Sequence, residues 1–133
     1  MNPVFGDTSY YGALISPKDV HHEAAVQWSR TSSRVIVLTE FVLLELGNAF
    51  RSGTDRRGFA AFVEYLRSDP HTILVSASSE LFQAGMKLFA KRWDKDWSVI
   101  DCISFVVMKQ QGLTEALTAD RHFEQAGFKA LLR

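Results

Sequence analysis

The run Val35-Ile36-Val37-Leu38 contains no polar position that could turn toward water. Its β-branched residues favour a strand, and a strand without polar alternation must be covered on both faces. Cover on both faces is the habit of parallel sheets, whose crossover helices lie above and below them. The run therefore predicts an α/β chain with helices on either side. Thr39 follows as a helix cap, and Glu40 to Ser52 reads as one helix, EFVLLELGNAFRS, apolar nearly all round.

The rest of the chain repeats the alternation. Val4-Phe5-Gly6 predicts a first strand, with Asp7-Thr8-Ser9 as a turn or cap at its exit. Tyr10 to Ile15 reads as a short helix interrupted at Ser16-Pro17, and Asp19 to Arg30 resumes with Val20, Ala24 and Trp28 at helical spacing. Asp55 to Leu66 predicts a helix with Phe59, Phe62, Val63 and Leu66 on one side, stopped by Asp69-Pro70. Thr72 to Val75 is a third strand. Ser79 to Arg92 is a helix expected to pack through Leu81, Phe82, Met86 and Phe89, and Lys91 to Asp96 is a charged loop. A strongly apolar helix opens at Ser98, carries Asp101 and stops at Gly112; the strand Glu115-Ala116-Leu117-Thr118 then delivers Asp120. A short helix ended by Gly127 precedes a last strand, Lys129 to Leu132. The expected architecture is a three-layer α/β/α sandwich around a mostly parallel sheet, one domain over residues 1–133.

Composition narrows the partners only slightly. Lys plus Arg and Asp plus Glu each total 15, so no net field advertises a nucleic acid or a membrane. One cysteine excludes an internal disulfide, and neither a signal peptide nor a membrane span is visible, so a cytoplasmic protein is expected.

Four acids carry the chemistry. In open α/β sheets ligands bind beyond the carboxyl ends of the strands, where Asp7 and Asp120 fall; Glu45 and Asp101 lie in early turns of helices that can begin on the same rim. Carboxylates gathered there repel one another and need a cation. Oxygen ligands without a Cys or His cluster suit Mg²⁺ or Mn²⁺, and such ions support phosphodiester hydrolysis. Thr8, Ser9 and Thr118 are placed to orient the acids.

The segments FGDTSYY, LLELGNAF, DKDWSVIDCISFVVM and LTADRHFEQAGF resemble the PIN-domain ribonucleases, with the spacing of the small VapC-like toxins. The resemblance spans essentially the whole chain and is most specific in DCISF and LTADRHFEQAGF. It implies a PIN-like fold in which Asp7, Glu45, Asp101 and Asp120 bind Mg²⁺ or Mn²⁺ and drive endonucleolytic cleavage of RNA. Asp96 matches a further acid carried by some relatives. The resemblance also implies a homodimer and, for the toxin of a type II pair, an inhibitory antitoxin protein.

Each acid has a plainer reading beside this one. Asp7 and Asp120 could cap helices, Asp101 could close a capping box with Ser98, and Glu45 could form an interface ion pair. Glu40 is explained by its helix dipole, His21 and His22 by the surface and Cys102 by packing, while His122, two positions beyond Asp120, could approach substrate or be a satisfied rim histidine, the reading favoured here. Arg51, Arg56 and Arg57, or Lys91, Arg92 and Lys95, could hold phosphates, and Trp93, Trp97, Tyr10 and Tyr11 could stack on bases or pack. The rival functions are a non-catalytic binding module and a receiver-like phosphoacceptor domain. The latter expects adjacent acids early in the chain and a late lysine.

Overall fold

The computed structural model describes residues 1–133. Five strands, β1 (Val4–Gly6), β2 (Ile36–Thr39), β3 (Thr72–Val75), β4 (Glu115–Leu117) and β5 (Lys129–Ala130), form one sheet in the order β3-β2-β1-β4-β5. Every pairing is parallel. The run 35–38 gives rise to β2, next to the central β1, where Val37 and Leu38 are buried.

Seven helices connect and cover the strands: α1 (Thr8–Ile15), α2 (His22–Thr31), α3 (Glu40–Gly47), α4 (Asp55–Ser68), α5 (Ser79–Lys91), α6 (Val99–Gln111) and α7 (Arg121–Gln125). The steps from β1 through β2 to β3 cross the sheet one way, and those through β4 to β5 return the other way. Right-handed crossovers then put α1, α2 and α4 on one face and α5, α6 and α7 on the other, which is the expected three-layer sandwich. The helix α3 touches both α1 and α6 and so lies over the strand ends.

Several features differ from expectation for local reasons, and the last strand, expected to Leu132, ends at Ala130. The helix expected over 40–52 ends as α3 at Gly47 and tightens into a 3₁₀ turn, Asn48–Phe50, because Gly and Asn are weak helix formers. The second helix begins only at His22, so Val20 stands in solvent and Ala25, rather than Ala24, is buried. The packing face of α5 is also rotated. Leu81, Gly85 and Leu88 face inward while Phe82, Met86 and Phe89 stand out. The reason is Gly85: a Cβ there would lie 2.3 Å from Ile103 Cγ1 and 3.2 Å from its backbone, so α5 and α6 meet where one of them has no side chain. At the other end of α6, Gly112 adopts φ 68° and terminates the helix in the left-handed region.

The core is continuous across the sheet. Val4, Phe5, Val37, Leu38, Ala116 and Leu117 of the central strands join Tyr10, Phe105, Met108 and Phe123 from the helices. Tyr10 and Tyr11 are therefore packing residues, and Trp97 is buried too, its Nε1 donating to Gln125 Oε1 at 3.0 Å.

Candidate active site

The strand order reverses between β1 and β4, and at such a switch point the loops leaving neighbouring strands part and open a crevice. Asp7 leaves β1 on one side of this crevice and Asp120 follows β4 on the other. Asp7 N–H donates to Leu117 O at 3.1 Å, so the ladder holds up to the acid itself.

A cleft of about 370 Å³ opens here, lined by Asp7, Thr8, Ser9, Glu45, Asp96, Ser98, Asp101, Asp120 and His122. The structure thus brings the four sequence-predicted acids, and Asp96, to one place. Glu45 is half-buried and belongs to this polar wall, not to the apolar setting its neighbours suggested; Phe41 and Ala49, between which it falls, are themselves not buried. The closest set of ligand atoms comes from Asp101, Asp120 and His122, all within 4.8 Å of one another. Asp7 and Glu45 line the same cleft outside that tight group.

Each of the three best-held carboxylates is gripped by one oxygen. Asp7 Oδ2 accepts from Thr118 Oγ1 at 2.8 Å and from Ser9 Oγ at 3.0 Å. Those hydroxyls are themselves oriented, since Asp120 N–H donates to Thr118 Oγ1 at 3.0 Å and Ala119 N–H to Ser9 Oγ at 3.1 Å. The Asp7 side chain makes no cap bond to α1. Asp101 Oδ2 accepts from Ser98 N–H at 3.1 Å, half of a complete capping box, and lies 3.0 Å from His122 Nδ1. Asp120 Oδ1 accepts from His122 N–H at 2.8 Å as the N-cap of α7. The caps of Asp101 and Asp120 each use one carboxylate oxygen. The second oxygen of Asp101 and of Asp120 takes no protein hydrogen bond, while the Thr8 backbone N–H also reaches the Asp7 carboxyl.

Thr8, expected alongside Ser9 and Thr118, does not touch Asp7 through its side chain. Its Oγ1 is buried in the cleft wall without a partner. His122, read from sequence as a satisfied rim residue, instead sits among the acids. The available signal was its position two residues past a strand-end Asp, where its backbone amide meets the cap.

The electrostatics are one-sided. The five carboxyl groups share the cleft with one histidine and with no Lys or Arg. Burial pushes the Asp7 carboxyl up from 3.8 to about 6, against the pull of the Thr118 and Ser9 hydroxyls, and the nearby Asp101 charge adds to the rise. Burial also raises Asp101, opposed by its bonds from Ser98 and His122 and reinforced by Asp120. Negative charge this poorly compensated fits a bound cation. The donor set, carboxylate oxygens with one imidazole and no thiolate, suits a hard divalent ion, and the unpartnered Thr8 hydroxyl is a spare polar group beside it. The lysine that a phosphoacceptor site requires is absent from the cleft.

Comparison with known proteins agrees with this geometry. A family model of the PIN domain matches residues 4–129. The chain is similar to the 23S rRNA-specific endonuclease VapC20 of Mycobacterium tuberculosis, found in two strains, with 24% identity over 125 residues covering 94% of this chain and 95% of the relative. The crystal structure of that VapC20, a sarcin-ricin loop cleaving toxin, superposes with a TM-score of 0.83 at 23% identity, covering 94% of this chain and 95% of that one. FitAcB from Neisseria gonorrhoeae superposes with a TM-score of 0.64 at 18% identity, covering 96% and 94%.

Proposed function

This chain belongs to the PIN-domain family, and from that premise we propose that it is a divalent-metal-dependent endoribonuclease, one domain over residues 1–133. The observation that carries the proposal is the cleft at the β1/β4 switch point, where five acids meet with one histidine and no Lys or Arg. Asp7, Glu45, Asp101 and Asp120, with Asp96 in the same cleft, would hold Mg²⁺ or Mn²⁺. Such an ion supplies charge neutralisation at the phosphoryl oxygens and a more acidic water. The protein's part is placement. Thr118 and Ser9 aim Asp7, Ser98 and His122 aim Asp101, and the backbone of α7 aims Asp120. Lys95 and Arg121 neighbour the cleft residues Asp96 and Asp120 in the chain, and their charges would meet phosphates flanking the phosphodiester.

The VapC relatives support reading the chain as the toxin of a type II pair, acting on RNA in the cytoplasm and restrained by an antitoxin protein. No helix is long and apolar enough to cross a membrane. A homodimer is supported by the outer ridge of α5, where Phe82, Met86 and Phe89 stand at i, i+4 and i+7 and Trp93, 86% exposed, continues the line. A ridge of this kind is suited to burial against a second copy about a two-fold axis.

The test is cleavage of end-labelled RNA. The wild type should cut internally with Mg²⁺ or Mn²⁺ and stop in chelator, and Asp7→Asn and Asp120→Asn should each lose about 10²-fold or more. Cutting that survives chelation would overturn the metal role, and an inert wild type at saturating ion would favour a binding module.

A further inference from the structure

Within the cleft, His122 meets the carboxylates of two acids belonging to different elements. Its backbone N–H donates to Asp120 Oδ1 at 2.8 Å, and its ring Nδ1 lies 3.0 Å from Asp101 Oδ2 and 3.4 Å from Asp120 Oδ1. Asp101 belongs to α6 and Asp120 caps α7, so this residue ties carboxylates of two separate elements directly to one another. An ionised carboxylate only accepts hydrogen bonds, which places the hydrogen on Nδ1 and leaves Nε2 as the open ring nitrogen. The side chain is 20% exposed and lines the cleft.

We propose that His122 is a positioning residue: by bridging Asp101 and Asp120 it sets the spacing of their free oxygens, and with it the affinity of the cleft for a divalent cation. This rests on reading the cleft as an ion site. The ring acts as a strut. It turns Asp101 so that Oδ2 faces the α7 side and Oδ1 is left for the cleft, and it shares that work with the Ser98 amide, which reaches the same oxygen. Groups that orient metal ligands in this way typically govern affinity by 10- to 100-fold.

The experiment is a Mn²⁺ titration followed by the electron paramagnetic resonance of free ion, which needs no RNA and no turnover. His122→Leu removes the ring donor, whereas His122→Asn keeps an N–H close to the position of Nδ1. The expected result is Mn²⁺ binding weakened about 10- to 100-fold in His122→Leu and within about threefold of wild type in His122→Asn. Urea unfolding in chelator should separate the two variants by much less than their Mn²⁺ affinities do. Equal affinity in wild type and His122→Leu would overturn the proposal. So would ¹⁴N coupling to Mn²⁺ that disappears in both variants, since the ring would then be a ligand. Failure of the wild type to bind Mn²⁺ would overturn the ion-site reading and this proposal together, whereas normal Mn²⁺ binding without RNA cleavage would count against the nuclease reading alone.

Discussion

Replacing Asp7 by Asn should stabilise the metal-free protein, and by an amount that depends on pH. The carboxyl is 5% exposed and ionises near 6 in the folded chain against 3.8 ordinarily. The difference is about two units, or about 3 kcal/mol against folding once the group is charged in both states. The sign follows from which state binds the proton. Between those two values the folded chain keeps the proton that the unfolded chain has lost, so stability is greatest below the unfolded value and falls as pH rises through about 6. Asn has no such dependence. Its Oδ1 can still accept from Thr118 and Ser9, which bond a single oxygen of Asp7, so few contacts are lost. In chelator near pH 7.5 Asp7→Asn should be about 1–3 kcal/mol more stable than wild type, and the gap should shrink by about 2 kcal/mol near pH 4.5. Urea unfolding at fixed protein concentration measures both. A variant that is less stable at each pH, or a gap independent of pH, would refute the reasoning, because burial of an uncompensated charge would then not be what governs stability at this position.

Other perturbations test separate parts of the structure. Gly85→Ala should cost about 1–3 kcal/mol in urea unfolding despite alanine's better helix propensity, because Ile103 leaves no room; an unchanged midpoint would show that α5 and α6 separate freely. Ser98→Ala removes the hydroxyl that accepts from Asp101 N–H at 3.0 Å and should cost about 1 kcal/mol of stability. Its Mn²⁺ affinity should change less than about threefold, since the backbone of Ser98 still holds the carboxylate, and a larger change would mean that the cap and the ion site are one unit. The proposed homodimer through α5 predicts that the wild type sediments as a dimer and Phe89→Glu as a monomer, with the thermal midpoint in dilute solution little altered; a monomeric wild type would refute the dimer, and a dimeric variant would refute this face.

The layer architecture was legible because strand and cap signals agreed. Val4-Phe5-Gly6, Thr72–Val75 and Glu115–Leu117 are short apolar runs bounded by polar turns, and each became a strand. The convergence of Asp7 and Asp120 followed from their place at strand exits, which topology brings together whatever the intervening loops do. The face of α5 could not be read in the same way. Two stripes, Leu81-Gly85-Leu88 and Phe82-Met86-Phe89, are both plausible packing surfaces, and the one with the larger side chains is the wrong one. Only the partner decides between them: Ile103 on α6 needs a groove, which Gly85 provides. For His122, sequence placed the residue at the rim but not its partners, since a histidine's role depends on what its nitrogens and its amide meet, and here they meet acids from two different elements. For Asp101, sequence left capping and ligation in competition; the structure shows the capping box, made through Oδ2, while Oδ1 takes no hydrogen bond.

A crystal soaked in Mn²⁺ and measured at the manganese edge addresses the metal centre without reliance on activity. An anomalous peak between Asp101 and Asp120, on the side of their unbonded oxygens and within reach of Asp7, is the result the geometry predicts. An empty cleft at saturating Mn²⁺, with the ion elsewhere or nowhere, would contradict it.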